Sequence, residues 1–267
     1  MTRSLTSRLV RHPYLDHPGP LAFAHRGGSL GGPENSLAAF ERAVRLGYRY
    51  LETDVHVTSD NVLIAFHDTQ LDRVTDGTGA VAQLPWRTVS AARIAGREPI
   101  PTLAELLDAF PTTRFNIDVK APGAIRPLVD VIRRTNAWDR VCVGSFSDAR
   151  MRALRQVAGP RLATSAGPRG VMALKLRSLT GGHAPIARAV RRQAVCVQVP
   201  ETVPGTELRL VDRAFVTTAH RMGLQVHVWT VDEPSRIRDL LDLGVDGIMA
   251  DHIDVLRDVL IERGAWF

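Results

Sequence analysis

Apolar and polar positions along this chain change period again and again. "LAFAHRG" (21–27) opens as a short apolar run and reads as a buried strand. In "PENSLAAFERAVRLG" (33–47) the apolar residues Leu37, Phe40, Val44 and Leu46 recur near helical spacing, and Gly47 stops the run. A helix is predicted there. "YLETDVHVTSDNVLIAFHD" (50–68) places two strand-like arms around the polar turn Ser59-Asp60-Asn61, the pattern of a β-hairpin. Gln70 to Pro101 is rich in loop signals. "TLAELLDAF" (102–110) is a predicted helix in which Thr102 and Glu105 stand three apart as a capping box.

The alternation then becomes regular. "RFNIDVK" is a strand and 123–135 a helix; "VCVGSFS" is a strand and 148–158 a helix. "RLATSA" is a weak strand followed by less regular helical sequence. "AVCVQVP", "LQVHVWTVD" and "DGIMAD" are strands, followed by the helices "RAFVTTAHRMG", "EPSRIRDLLDLG" and "DVLRDVLIERG". With "LAFAHRG" and "YLETDV" as the first two, eight parallel strand candidates alternate with helices, and "NVLIAFHD" is an extra return strand. The pattern predicts an α/β fold, a single-domain (β/α)8 TIM barrel with a β-hairpin extension after strand 2. Residues 1–20 read as a Pro-containing N-terminal extension and 21–267 as the barrel domain. An open doubly wound sheet would alternate too, but no Gly-rich dinucleotide fingerprint supports it.

Composition narrows the function. The chain has 267 residues, 45% of them hydrophobic, enough for a large core. Lys plus Arg number 34 against 28 Asp plus Glu, a net charge of +6. These charges are scattered; the pairs Arg133-Arg134 and Arg191-Arg192 are the densest. Without a basic patch interleaved with aromatics, nucleic acid is not an expected partner. The basic balance suits a phosphorylated small molecule or transient contact with an anionic membrane surface. Lys120 and Lys175 are the only lysines, and Lys120 lies at the end of an apolar β-like run. Cys142 and Cys196 lack metal-site spacing and read as buried thiols. No secretion signal or stretch approaching ~20 apolar residues is apparent, so a cytoplasmic protein without a transmembrane segment is expected.

Barrel strands of this kind carry their active sites at their C-terminal ends. Strand one ends in His25-Arg26, strand two in Glu52 and Asp54, the return strand in His67, and strand three in Asp118 and Lys120. Glu52 and Asp54 are two apart and share a strand face, as do Asp118 and Lys120. Later strands end in Ser145, Gln198, Trp229 and Asp251. Converging carboxylates repel, so a cation or a basic side chain must stand between them. The oxygen-rich set Glu52, Asp54 and Asp118 suits a hard divalent ion, Mg²⁺ or Ca²⁺, with Mn²⁺ also compatible. Arg26 and Lys120 suit a phosphate, and His25 with His67 suit acid–base work near neutral pH.

"AHRGGSLGGPENSLAAF", "YLETDV", "NVLIAFHD", "PTLAELL", "FNIDVK", "VWTVD" and "GVDGIMAD" together resemble the glycerophosphodiester phosphodiesterases, from about Leu21 to Leu260. The resemblance implies a TIM barrel that hydrolyses glycerophosphodiesters to glycerol 3-phosphate and an alcohol by way of a cyclic phosphate. It implies His25 and His67 as the acid–base pair and Glu52 with Asp54 as metal ligands. It places Glu34 beside the site, orienting Arg26 or glycerol, although an acid at a helix start has a structural reason of its own. Trp229, at the mouth, is expected to stack on glycerol rather than fill the core. His56, His227 and His252 are expected to be structural. The family's third metal ligand is usually Glu in an Ile-Glu-x-Lys context; here Asp118 is one methylene shorter. The rival reading is a lysophospholipase D acting on single-chain lipids, for which Leu84, Pro85 and Trp86 in the 70–101 segment offer an apolar loop. An inactive phosphodiester-binding barrel is disfavoured because both histidines are present.

Overall fold

The computed structural model describes residues 12–29, 33–180, 190, 193–203 and 205–267. Expectations for residues 1–11 and for Arg191-Arg192 lie outside the described residues. Strands β1 (Leu21–Ala24) and β2 (Tyr50–Val57) flank helix α1 (Leu37–Arg45), and β3 (Leu63–Ala65) returns antiparallel along β2. There follow α2 (Leu103–Ala109), β4 (Arg114–Val119), α3 (Ile125–Arg134), β5 (Val141–Gly144), α4 (Asp148–Ala158), β6 (Ala163–Thr164) and α5 (Pro168–Thr180). The chain ends with β7 (Cys196–Pro200), α6 (Arg213–Arg221), β8 (Gln225–Trp229), α7 (Pro234–Leu243), β9 (Gly247–Ala250) and α8 (Ile253–Glu262).

Eight parallel strands run in the spatial order β6-β5-β4-β2-β1-β9-β8-β7, with β3 paired to β2 off that path. A parallel bridge from Ser165 to Cys196 links the end of β6 to β7 and nearly closes the barrel. The expected TIM barrel and its return strand are therefore present. The weak "RLATSA" signal corresponds to a strand of only two residues.

Strand alternation explains how β2 can be buried along its whole length and still carry charge. Leu51 and Val55 face the helices and join the main core with Phe115, Ile117 and Val119 of β4. The intervening residues face the barrel interior. Near its N-terminal end that interior is apolar: Leu21, Phe23, Tyr50, Cys142, Cys196 and Met249 pack together. Further along the same faces come Glu52 and Asp54 on β2 and Asn116 and Asp118 on β4, in register across the strand pair. The period-two pattern thus builds a greasy floor and a charged mouth from the same strands.

Tyr14 closes the floor. It is fully buried, and its carbonyl accepts a 2.8 Å hydrogen bond from the Tyr50 hydroxyl. Helices stay on the barrel through burial of one face. In α3, Leu128, Val129 and Ile132 are wholly buried; cutting one such Leu to Ala would cost ~2–5 kcal/mol. The expected capping box forms at α2, where Thr102 accepts from the Glu105 N–H and Glu105 accepts from the Thr102 N–H. The 70–101 segment is more than loop. It contains a short helix, Trp86–Val89, and packs Leu71, Val81, Val89 and Ile94 with Ile64 and Phe66 into a satellite core.

Candidate active site

The chain leaves β1 through a tight His25-Arg26-Gly27 turn in which Arg26 and Gly27 both have positive φ. Gly27 is required twice over: its φ is +86°, and an added Cβ would meet the Ala39 Cβ at 2.7 Å. The turn aims His25 and Arg26 into the mouth and directs the Arg26 backbone N–H at Glu52, 3.2 Å away. Ser36 caps α1 by accepting from the Ala39 N–H at 3.1 Å, which sets Glu34 and Asn35 just ahead of that helix. Asn35 accepts from Thr53 at 2.7 Å and donates to Asp54 at 3.4 Å, bracing β2 from behind.

Both histidines are oriented by carboxylates. His25 Nδ1 lies 2.7 Å from Asp251 Oδ1, and the Ser29 hydroxyl donates to the same oxygen at 2.5 Å. His67 Nδ1 lies 2.6 Å from Asp68 Oδ1. An Nδ1–H donated to a carboxylate leaves Nε2 as the unprotonated nitrogen of a neutral ring. His25 Nε2 stands 3.7 Å from Glu52 Oε2. Burial pushes the His25 imidazole down, but Glu52 and Asp251 outweigh it and hold it above its ordinary value.

The carboxylates meet around two basic side chains. Lys120 Nζ is 2.8 Å from Asp54 Oδ1 and 2.7 Å from Asp118 Oδ2, and Arg26 Nε is 3.2 Å from Asp54 Oδ2. Burial raises the Asp54 carboxyl, yet Lys120 and Arg26 prevail and hold it below the usual range. Glu52 is only weakly compensated, by His25 at 3.7 Å and by Arg26. Burial, reinforced by Asp54, pushes it up to about 7. Asp118 is also raised, mainly by burial, against the pull of Lys120.

Among the described residues, no three acids or imidazoles stand in an arrangement that already holds a metal ion. The donor chemistry nevertheless fits one. Glu52, Asp54 and Asp118 supply oxygen donors in a buried cluster. Glu52 is held far above its ordinary value, and Asp118 Oδ1 is buried without a hydrogen-bond partner. That is the signature of a cluster short of positive charge.

A cavity of about 410 Å³ opens here. His25, Arg26, Glu52, Asp54, His67, Asp118, Lys120 and Trp229 all line it, so eight of the nine sequence candidates meet in one place. Glu34 stands behind them: its carboxylate lies 3.1 Å from Arg26 and 2.6 Å from Arg73. Trp229 is half-buried and packs edge-on against Phe146, ring centroids 5.4 Å apart. Of the other histidines, His56 bonds the His67 carbonyl at 3.0 Å and His227 is fully buried in the barrel.

Several site residues carried no signal in the sequence. Arg73, from the 70–101 segment, donates to Asp68 at 2.5 Å and to Glu34 at 2.6 Å, joining the His67 pair to the Arg26 pair. Arg150, on α4, donates to the Lys120 carbonyl at 2.6 Å and to Ser145 at 2.8 Å. Asn116 accepts from Gln198 at 2.6 Å across the cavity. Arg73 and Arg150 are two among many arginines, and only the tertiary structure separates them. The opposite wall is apolar, with Phe146, Val171, Met172, Val203 and Leu210. Leu84, Pro85 and Trp86 do not line the cavity; Leu84 and Trp86 pack on the satellite core.

A family model described as "Glycerophosphoryl diester phosphodiesterase family" matches residues 25–255. "Probable glycerophosphodiester phosphodiesterase 2" of Mycobacterium tuberculosis is 46% identical over 254 residues, 95% of this chain and 95% of its own. A "Glycerophosphodiester phosphodiesterase" of Caldanaerobacter subterraneus subsp. tengcongensis is 29% identical over 265 residues, 91% of this chain and 99% of its own. Among solved structures, a putative glycerophosphoryl diester phosphodiesterase from Silicibacter pomeroyi superposes with a TM-score of 0.78 at 25% identity, covering 96% of this chain and all of that one.

Proposed function

The chain belongs to the glycerophosphoryl diester phosphodiesterase family, and from that premise we propose that it cleaves glycerophosphodiesters to glycerol 3-phosphate and an alcohol with the help of one divalent cation. One observation carries the reading. Two histidines, each with Nδ1 engaged by a carboxylate, share a cavity with Arg26, Lys120 and three acids.

Arg26 and Lys120 bind the phosphoryl oxygens, the first as a fork and the second as a point charge. They hold those oxygens while negative charge builds in the transition state. Glycerol carries a hydroxyl next to the phosphate, and a well-oriented neighbour of this kind attacks phosphorus at a high effective concentration. One histidine takes the proton of that hydroxyl through Nε2. The other gives its Nε2 proton to the leaving alcohol oxygen as the phosphorus–oxygen bond breaks. Water then opens the resulting cyclic phosphate with the two roles exchanged. Asp251 and Asp68 keep the rings in the required tautomer. Glu34 holds Arg26, and Trp229 offers its ring to the glycerol carbons. Glu52, Asp54 and Asp118 would hold Mg²⁺, Ca²⁺ or Mn²⁺. A bound cation would supply Lewis-acid stabilisation of oxygen charge. Residues 21–267 act as one catalytic domain, and residues 1–20 are an extension whose described part, from His12 onward, closes the barrel floor.

The apolar wall favours a second reading, hydrolysis of single-chain lysophospholipids, in place of the 84–86 loop that the sequence had offered for it. No helix among the described residues is long and apolar enough to cross a membrane. The deciding assay compares glycerol 3-phosphate release from glycerophosphocholine with lysophosphatidic acid release from lysophosphatidylcholine, with Mg²⁺, Ca²⁺ or Mn²⁺ added after EDTA treatment. Release from glycerophosphocholine is expected to dominate. Release from lysophosphatidylcholine alone supports the second reading, and release from neither overturns both.

A further inference from the structure

The apolar wall does not end at the cavity. Phe146 and Met172 line the mouth and still leave 61% and 55% of their surface in solvent. From Met172 the stripe continues along α5 at helical spacing, through Leu176 at 60% and Leu179 at 68% exposure. Leu208, in the connection from β7 to α6, is 62% exposed, and its neighbours Val203 and Leu210 line the cavity. Of the eight large apolar side chains that are exposed among the described residues, Phe146 and Met172 line the opening, and Leu176, Leu179 and Leu208 lie on α5 or in the β7–α6 connection, both of which start beside it. Scattered exposed leucines need no explanation, but a contiguous apolar rim around a polar site does.

The inward face of α5 places this stripe relative to the mouth. Lys175 is buried and reaches Asp212 Oδ2 at 2.5 Å. Asp212 is the residue that caps α6, accepting from the Phe215 N–H at 2.8 Å, and α6 begins at the C-terminal end of the barrel. α5 begins beside the mouth at Pro168, its middle is tied to the start of α6, and Met172, Leu176 and Leu179 run along one side of the helix next to Lys175. The exposed charges nearby are chiefly basic: Arg169 precedes the stripe, Arg209 follows Leu208, and Arg213 opens α6, with Glu207 as the exposed acid among them.

We propose that this rim, Phe146, Met172, Leu176, Leu179 and Leu208 with Arg169, Arg209 and Arg213, docks the barrel mouth onto an anionic phospholipid surface. Apolar side chains entering the headgroup boundary and arginines facing anionic lipids are the two components of interfacial binding. Charge complementarity selects this occupant over a second copy of the chain, because two copies would oppose the same arginines. The docked orientation faces the cavity to the bilayer, where lipid-derived phosphodiesters are concentrated. Docking is a property of the surface and stands apart from which diester is cleaved.

The test uses the full chain and sedimentation with vesicles of phosphatidylcholine alone or mixed with phosphatidylglycerol. The variant is Leu176→Glu with Leu179→Glu; neither residue lines the cavity. The wild type is expected to bind the phosphatidylglycerol vesicles, less so in high salt, and the variant to bind at least about tenfold more weakly. Unchanged turnover of water-soluble glycerophosphocholine by the variant shows that its fold and site are intact. Wild-type protein that leaves those vesicles in the supernatant, or a variant that binds them equally well, overturns the proposal. A dimer detected by light scattering and dissolved by the same variant, without vesicle binding, reassigns the rim to self-association and also overturns it.

Discussion

The Lys120 ammonium lies 2.7 Å from Asp118 Oδ2. Its other contact, 2.8 Å to Asp54, makes it the bridge between two of the acids proposed to hold the cation. Lys120 thus neutralises part of the carboxylate cluster while remaining on the cavity wall, where a phosphate would meet it. Burial lowers the pKa of an ammonium, but Asp54 and Asp118 reverse that effect and keep Lys120 above its ordinary value. The lysine is therefore a cation throughout the neutral range.

From this follows the first prediction, on Asp118. EDTA treatment should abolish turnover and a divalent cation should restore it. In Asp118→Asn, cation affinity measured by calorimetry should fall by more than about tenfold, since even partners one step removed from a metal commonly contribute that much. The melting temperature should change little, because the acid removed is one whose charge is disfavoured by burial. Full turnover in metal-free buffer, or a titration curve that overlays the wild type, would remove Asp118 from the cation site.

The two histidines give the second prediction. His25→Ala and His67→Ala should each lower kcat by roughly 10²–10⁴, the usual range for a positioned general acid or base. Asp251→Asn and Asp68→Asn should have smaller effects that appear mainly in the pH profile, because these residues act through the rings. A substrate lacking the glycerol 2-hydroxyl should bind yet turn over poorly. Comparable turnover of that analogue would show that water attacks phosphorus directly.

Much of this site was legible in the sequence because strand geometry is periodic. Glu52 and Asp54 had to share a face, and a barrel has only one wet end for charged inward positions to occupy. Asp118 and Lys120 followed by the same argument. The tertiary partners were not legible. Asp251 is joined to His25 across 226 residues, and nothing local to either marks the pairing. Arg73 sits in a segment read as loop, whose fold depends on the satellite core around Ile64 and Phe66. The apolar wall was misplaced for a related reason. Leu84 and Trp86 are apolar and near the hairpin in sequence, but that core absorbs them, while Phe146 follows β5 and Met172 sits on α5, farther along the barrel.

Asp68 yields a prediction on pH. A hydrogen bond from Arg73 comes first among its perturbations; with the His67 contact it outweighs partial burial and holds the carboxyl at about 2. The unfolded carboxyl titrates near its ordinary value, about 3.9. Between these values the unfolded chain binds a proton that the folded chain refuses, so stability rises with pH across that window. The contribution is fully present above about pH 4 and lost as pH falls toward 2. Urea unfolding of wild type and Asp68→Asn should therefore show a stability gap that is constant near neutrality and closes between about pH 4 and pH 2. Arg73→Ala removes the main cause of the depression, so its gap relative to wild type should close over the same window. A gap that stays constant down to pH 2 in both variants would mean that the Asp68–Arg73 pair contributes nothing through its charge.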